Sequence, residues 1–522
     1  MRVTAAGAQD SATHAFRTSE QCIICHNNLK TAKGEDASFG TAWRTSMMAN
    51  SARDPYWLAS VRREALDHAG QSADIQNECA NCHMPLTQRI DQANGRRTVV
   101  FAHLPFNAES LSDTSAEGVA CSVCHQIQPA GLGTAETYNG NFHVTAWNDP
   151  VRSLYGPFPV DAVRVAPLHL NSSGYSLAQS QHIREAALCG SCHTLYTNSF
   201  TTDGKAVATL PEQMVYLEWL HSSYREKQSC QQCHMTAISD PVKIAVLYSD
   251  PKKGVRRHSF DGSNFLMQRI LNAHRNDLGV VAPESDLDAA ATRTVNYLQS
   301  KAARLSLGPV EVQHGTIGFA VKVVNLTGHK MPTSFPSRRA WLHVTVTAPN
   351  GHILFESGKF HADGSIEGNV NDADPSRYLP HFTTITSPSQ VQIFEPILGD
   401  AAGHVTTGLL TATQYLKDNR ILPAGFDKAT ASTEIAVHGE AASDPAFMGG
   451  SSTTRYQIPA NGASGPFNIA VELLYQPIGY RWARNLAPFQ AAETQHFVTY
   501  FEQAAQNSAV VLAHAQVVSA HP

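Results

Sequence analysis

The sequence predicts an α+β multidomain protein, with a loop-rich, mainly helical N-terminal region followed by an antiparallel β-sandwich. Three observations predict it. The 522-residue chain has ten cysteines, and all of them lie before residue 235. Apolar residues recur at spacings of three and four between Leu287 and Leu305. From about residue 309 the pattern changes to alternation, with Gly, Pro, Asn and Asp between the runs.

The cysteines come in five pairs, each with a two-residue gap and a histidine straight after it. The motifs are Cys22/Cys25/His26, Cys79/Cys82/His83, Cys121/Cys124/His125, Cys189/Cys192/His193 and Cys230/Cys233/His234. C-x-x-C-H is the haem c attachment pattern. Two thiols add to the two vinyl groups on one porphyrin edge, and the next residue supplies the proximal imidazole to the iron. A thioredoxin-like C-x-x-C needs no histidine and would not occur five times. A structural zinc site takes four ligands, usually from two paired knuckles, and an odd number of pairs fits that poorly. A disulfide framework would leave the five histidines as coincidence. The expected cofactors are five haem c groups, which makes the first half a pentahaem domain.

Haem c is attached outside the cytoplasm, so a periplasmic, extracellular or cell-surface location is expected. The N-terminal segment from Met1 to Gly7 lacks the apolar core of a signal peptide. The expectation is that a leader has been removed and Met1 added or misassigned. No run of about 18 apolar residues is present, which predicts no transmembrane segment. The formal net charge is −5 and there is no basic patch, which excludes nucleic acid as a partner. The expected partners are other redox proteins, either cytochromes or quinol-linked donors. The oligomeric state is not legible.

The organisation expected is a pentahaem domain over 1–280, a linking amphipathic helix over 281–308, a β-sandwich over 309–505 and a C-terminal tail over 506–522. Roughly 50 residues per haem is sparse for an independent protein core, so the porphyrins supply much of the buried apolar surface. In the linking helix Leu287, Ala291, Val295, Leu298, Ala302 and Leu305 share a face, with Ser285 as N-cap and Gly308 as the stop. In the sandwich Ile317, Phe319, Val321 and Val323 alternate, as do Leu342, Val344 and Val346, and Ile469, Val471, Leu473 and Tyr475.

Each low-spin iron needs a sixth ligand, a second histidine or a methionine. The chain has 25 histidines, and 20 remain after the proximal ones are removed. His182 precedes Cys189 by seven residues, His258 follows the fifth motif, His329 sits at a turn between strands, and His68 lies on a helix between the first two motifs. These four are the candidate distal ligands. His329 would reach back to a haem from the sandwich. His103, His143, His169, His221 and His274 are weaker candidates. Met47 and Met48 could serve as ligands, although methionines in an apolar run are more often core; Met84 and Met235 read as packing against porphyrin, and His404, His438 and His514 as sandwich surface.

The haem-bearing half resembles the multihaem cytochromes related to the tetrahaem electron acceptor of hydroxylamine oxidoreductase. The motifs that carry the resemblance are T-A-W-R-T-S-M-M-A-N-S-A-R-D-P-Y-W (41–57), C-A-N-C-H-M-P (79–85), E-G-V-A-C-S-V-C-H-Q-I (117–127), H-I-R-E-A-A-L-C-G-S-C-H-T-L-Y-T (182–197) and P-E-Q-M-V-Y-L-E-W-L (211–220). The second half is similar to the sheet domain that accompanies such haem regions in bacterial multihaem proteins. There the marks are 325–344, 415–428 and 475–483. The resemblance favours His182, His258 and His329, and of these His182 and His329 fall inside matching motifs. Five motifs depart from the tetrahaem pattern, so its ligand set does not carry over whole.

Three functions fit. The first is an electron carrier whose five haems are mostly bis-histidine and closed to substrate. The second is an oxidoreductase with one open iron acting on a small nitrogen or sulfur compound. Arg184, Tyr196 and Lys330 are examples of groups that would line its pocket. The third is a cell-surface or assembling cytochrome that uses the sandwich for partner binding, with Arg338 and Arg339 as contacts. A solvated turn is the plainer reading of that Arg pair. The carrier reading is preferred, because about 215 residues cannot hold five haems far apart.

Overall fold

The computed structural model describes residues 16–106, 114–146, 149, 151–201 and 203–519. The N-terminal segment from which a removed leader was inferred lies outside these. The chain is a mixed α+β multidomain protein, and sheets dominate its C-terminal part. It divides into two compact units, residues 1–194 with 228–293 and residues 195–227 with 294–522. Among the described residues no helix is long and apolar enough to cross a membrane.

The first unit is built of short helices and loops around small apolar clusters. One cluster gathers Phe16, Leu86, Ile90, Ala120, Val123, Ile127 and Phe142. Another gathers Leu29, Ala37, Ile238, Val242 and Val255. The helix Pro55–Asp67 starts where local chemistry favours it: Asp54 accepts from the Tyr56 and Trp57 amides, and Pro55 opens the first turn. It buries Tyr56, Trp57, Leu58, Val61 and Ala65.

The second unit is held by two larger sheets. In one, strands Thr384–Ile385, Ser451–Pro459, Thr316–Asn325 and Ala303–Leu307 lie side by side. The pairing of 384–385 with 455–456 is parallel. In the other, Ile393–Phe394, Arg339–Thr347, Asn468–Gln476 and Val510–Val518 lie side by side. Ile353–Ser357 flanks Arg339–Thr347. The buried Tyr456 ring stacks on Phe319 of its own sheet at 5.0 Å and meets Phe355 of the other edge-on at 6.2 Å. The alternating runs at 317–323, 342–346 and 469–475 are the buried faces of these strands.

Several expectations are corrected. The helix runs Glu284–Lys301 and begins directly after Pro283, so Ser285 lies inside it rather than capping it. It stops before Leu305, because 303–307 leave the helix to pair with 321–325 as a strand. The segment 195–227, expected within the haem domain, belongs to the second unit. Its hairpin Leu195–Phe200 and Ala206–Gln213 leads to Met214, which packs with Leu422, Phe426, Ile435, Ala441 and Phe447. The expected tail contains strand Val510–Val518, paired along Asn468–Gln476.

The second unit also buries charge. Lys330 Nζ bonds Asp418 Oδ2 at 2.6 Å, and Arg420 grips the same carboxylate through Nε and Nη2, each at 2.8 Å. Arg420 also reaches Glu218 Oε1 at 3.1 Å, while Glu218 Oε2 accepts from the Lys330 amide and from Thr333. Lys330 is therefore a structural cation of this core and not a pocket-lining group. Arg339 is likewise buried, on Asp372 at 2.7 Å, so it is neither a solvated turn nor a partner contact. His438 is half-buried and stacked on Tyr415 instead of lying on the surface.

Candidate haem sites

Each motif sits on a helical turn, where residues three apart share one face. The first closes the helix Ser19–His26 and the second closes Ser72–His83. The third is the turn Cys121–Cys124 with His125 as its C-cap. The fourth starts in Ala186–Gly190, and both Cys192 and His193 donate their amides to Cys189 O. The fifth is Cys230–His234, opened by a reciprocal cap between Ser229 and Gln232. None of the ten cysteines is in a disulfide.

A metal-binding histidine commonly donates its other ring nitrogen to a backbone carbonyl, which fixes tautomer and orientation. Four motif histidines do this. His26 Nδ1 donates to Ile244 O at 2.6 Å, His83 Nδ1 to Ser51 O at 3.1 Å, His125 Nδ1 to Tyr155 O at 2.7 Å and His234 Nδ1 to Asp261 O at 2.5 Å. Burial holds His26 and His125 below the usual histidine range and His83 down to about 4. Those three rings are thus neutral at pH 7, as a metal ligand requires. Trp57 stacks flat on His83, with centroids 4.5 Å apart and planes 1° from parallel. The donor set fits haem c: a thiol pair one helical turn apart and an oriented imidazole beside it.

The motifs lie against one another. Cys22 lies within electrostatic reach of Cys121, Cys82 of Cys192 and Cys189 of Cys230. Cys124 lies within electrostatic reach of Cys189 and Cys192, and burial pushes its thiol up to about 12. The backbone ties the same pairs together. Ser122 Oγ donates to Arg17 O at 2.6 Å and the Cys121 amide donates to Ser19 Oγ at 3.2 Å. The Gly140 amide donates to Ser191 O at 2.7 Å, and Gln231 Nε2 donates to Glu185 O at 2.7 Å. The third motif therefore neighbours the first and the fourth, and the fourth also neighbours the second and the fifth.

Cys25 is held in a different way. Its thiol is half-buried and lies within electrostatic reach of Cys22 in the same motif. The adjoining Ile24 side chain is 75% exposed. What fixes Cys25 is its backbone, whose carbonyl accepts from the Val246 amide at 2.9 Å. The same loop supplies the Ile244 carbonyl to His26, so 244–246 hold the end of the first motif at two points.

The distal candidates separate. His258 is half-buried, with Nδ1 on Arg256 O at 3.2 Å, and desolvation of its ring holds it at about 4. Its ring centroid is 6.3 Å from that of His125, with planes 12° from parallel. Both Nδ1 atoms are occupied, which leaves Nε2 of each for a metal. His182 is corrected: Nδ1 accepts from Ser180 Oγ at 2.6 Å and Nε2 donates to Ile127 O at 2.8 Å, which leaves neither nitrogen for iron. Arg184, weighed as a pocket group, lies over the Phe158 ring. Tyr196 packs on the core around Met214. His68 is buried at the C-terminal end of Pro55–Asp67, and its amide bonds Glu64 O. His329 belongs to the second unit, with Nδ1 on Lys330 O at 2.9 Å. His169, ranked low from sequence, places Nδ1 on Ser173 Oγ at 2.9 Å and lies within electrostatic reach of His26.

Sequence reading missed the second layer of the site. The carbonyls that orient the histidines come from Ser51, Tyr155, Ile244 and Asp261, and every residue type has a carbonyl, so no side-chain signal marks them. Arg89 is also part of it. Its guanidinium is buried over Phe142 and donates to Gly140 O at 2.6 Å, bracing the loop between the second and fourth motifs.

Residues 188–256, which hold the fourth and fifth motifs, match the family described as cytochrome c554 and c-prime. The fold is similar to that of the crystal structure of a penta-heme cytochrome c552 from Thermochromatium tepidum, with a TM-score of 0.53 and 17% identity, covering 97% of this chain and 99% of that one. No curated protein matches the sequence. The motifs and these likenesses support a multihaem c-type cytochrome binding haem c.

Proposed function

We propose that this chain binds five haem c groups and carries electrons between redox partners outside the cytoplasm. Cys22/Cys25, Cys79/Cys82, Cys121/Cys124, Cys189/Cys192 and Cys230/Cys233 make the thioether bonds, with His26, His83, His125, His193 and His234 as proximal ligands. His258 is the distal partner of His125. The reading keeps His68 and His329 as sixth ligands of other irons and drops His182.

The observation that carries the reading is the contact between motifs. Hydrogen bonds tie the backbone beside one motif to that beside the next, and the thiols mark the porphyrin edge, so neighbouring haem edges come close together. Electron tunnelling falls steeply with distance, and a run of adjacent haems is what a carrier needs. When bound, the haems supply one-electron chemistry. The chain's own residues orient the imidazoles, bury them and keep them neutral. The relation to the tetrahaem acceptor of hydroxylamine oxidoreductase, with a fifth motif added, belongs to this reading. So do partners of the cytochrome or quinol-linked type.

The test is a pyridine haemochrome count on the holoprotein, followed by a reductive titration. The expected result is five haems per chain and uptake of five electrons. Fewer than five haems would refute the assignment of all five motifs.

A further inference from the structure

The proximal histidine of the fifth motif is held by more than a carbonyl. His234 Nδ1 donates to Asp261 O at 2.5 Å, and the Asp261 amide donates back to His234 O at 2.8 Å. The two residues form a two-point clamp. The side chain of Asp261 is itself buried, at 3% exposure. Ser259 Oγ donates to its Oδ2 at 3.0 Å, and Arg293 Nε donates to its Oδ1 at 3.0 Å. Arg293, 39% exposed, comes from the helix Glu284–Lys301. Arg256 braces the same motif by donating to Gln231 O at 3.2 Å and Met235 O at 3.0 Å. The carbonyls that hold His26, His83 and His125 belong to Ile244, Ser51 and Tyr155, none of which has a carboxyl or basic side chain.

We infer that the Asp261–Arg293 ion pair tunes the reduction potential of the haem carried by the fifth motif, separately from the other four. The inference rests on the haem reading proposed above. Two effects point the same way. A buried carboxylate beside the proximal imidazole favours the iron state with the extra positive charge, because little solvent screens it. A firm hydrogen bond from Nδ1 makes the imidazole a stronger donor, which also favours the oxidised iron. Arg293 opposes the first effect by neutralising the carboxylate. Asp261 and Arg293 are positioning residues, since both act on the iron through His234 and its surroundings.

The test compares the wild-type holoprotein with Asp261→Asn, Arg293→Gln and the double variant by spectroelectrochemical titration resolved into its components. Asp261→Asn keeps the backbone clamp and is expected to raise one component. Arg293→Gln is expected to lower the same component by about tenfold in its reduction equilibrium. The double variant is expected to fall between them, and Arg293→Lys to restore the wild-type value. The low-spin signal of that haem in the electron paramagnetic resonance spectrum should move with it. Five haems with all components unchanged, or both single variants shifting in the same direction, would overturn the inference. So would all five components moving together. A tryptic peptide containing Cys230 and Cys233 without haem would instead overturn the haem reading itself.

Discussion

The imidazoles of His125 and His258 lie with centroids 6.3 Å apart and planes 12° from parallel. Their Nδ1 atoms are tied to Tyr155 O and Arg256 O, so each ring turns its remaining nitrogen to the same use. A metal ion bound to two imidazole nitrogens at about 2 Å each sets the centroids ~6 Å apart.

Replacing His258 with Ala should therefore open one iron. One haem in the oxidised holoprotein should change from low to high spin, read by electron paramagnetic resonance. His182→Ala should leave the spin states as they are, because both nitrogens of His182 are already engaged. Identical spectra for His258→Ala and wild type would refute the pairing.

Gly140 stands at φ +73° between the second and fourth motifs, and a Cβ there would meet Cys82 Sγ at 3.1 Å and Asn81 O at 3.2 Å. Gly140→Ala should cost about 1–3 kcal/mol. It should also lower haem incorporation at the second motif, measured by haem-peptide mass spectrometry. The equivalent change at Gly34, which has a similar positive φ but open space around it, should leave incorporation intact.

The motifs were legible because covalent haem attachment demands fixed residue types at fixed spacing, and no tertiary context alters that. Which motifs lie side by side was not legible: the ties run through Arg17, Ser19, Glu185 and Ser191, residues with no marked place in the haem pattern. The strands at 317–323 and 469–475 were legible because a half-buried strand alternates with period two. The helix end was not legible. Ala302 and Leu305 continue the helical spacing, yet pairing of 303–307 with the long strand 316–325 ends the helix at Lys301. His182 misled for a different reason. A histidine near a haem motif looks the same in sequence whether it faces iron or a carbonyl, and only the position of Ile127 O decides. Arg339 reads as a surface pair with Arg338 because its counter-ion, Asp372, is 33 residues away.

The buried Asp418 carboxylate meets both Lys330 and Arg420, which hold it well below the usual carboxylate range against the opposing effect of burial. Asp418→Asn leaves two buried cations without that counter-charge and should cost about 3–5 kcal/mol in urea unfolding. Breaking the exposed pair Lys33–Asp240 should change stability by less than about 1 kcal/mol. Equal effects from the two would contradict this account of the second unit.

His343 lies between Glu472 at 3.0 Å and Glu356 at 3.1 Å, and its hydrogen bond to Glu472 raises it above the usual histidine range. A raised folded value stabilises below the unfolded value of about 6.5, and that contribution fades as pH rises through the folded value. Wild type should therefore exceed His343→Gln by about 1 kcal/mol at pH 5 and lose that margin in alkaline solution. Thermal melts across this range check it, and a margin that grows with pH would refute it.

The central claim is that this is a carrier whose irons are closed to substrate. It is tested most directly by the electron paramagnetic resonance spectrum of the oxidised five-haem protein, with and without nitrite, hydroxylamine or cyanide. The account predicts low-spin signals alone, unchanged by any of the three. A high-spin component of about one haem in five that shifts on adding such a ligand would contradict it and make the protein an oxidoreductase with an open iron.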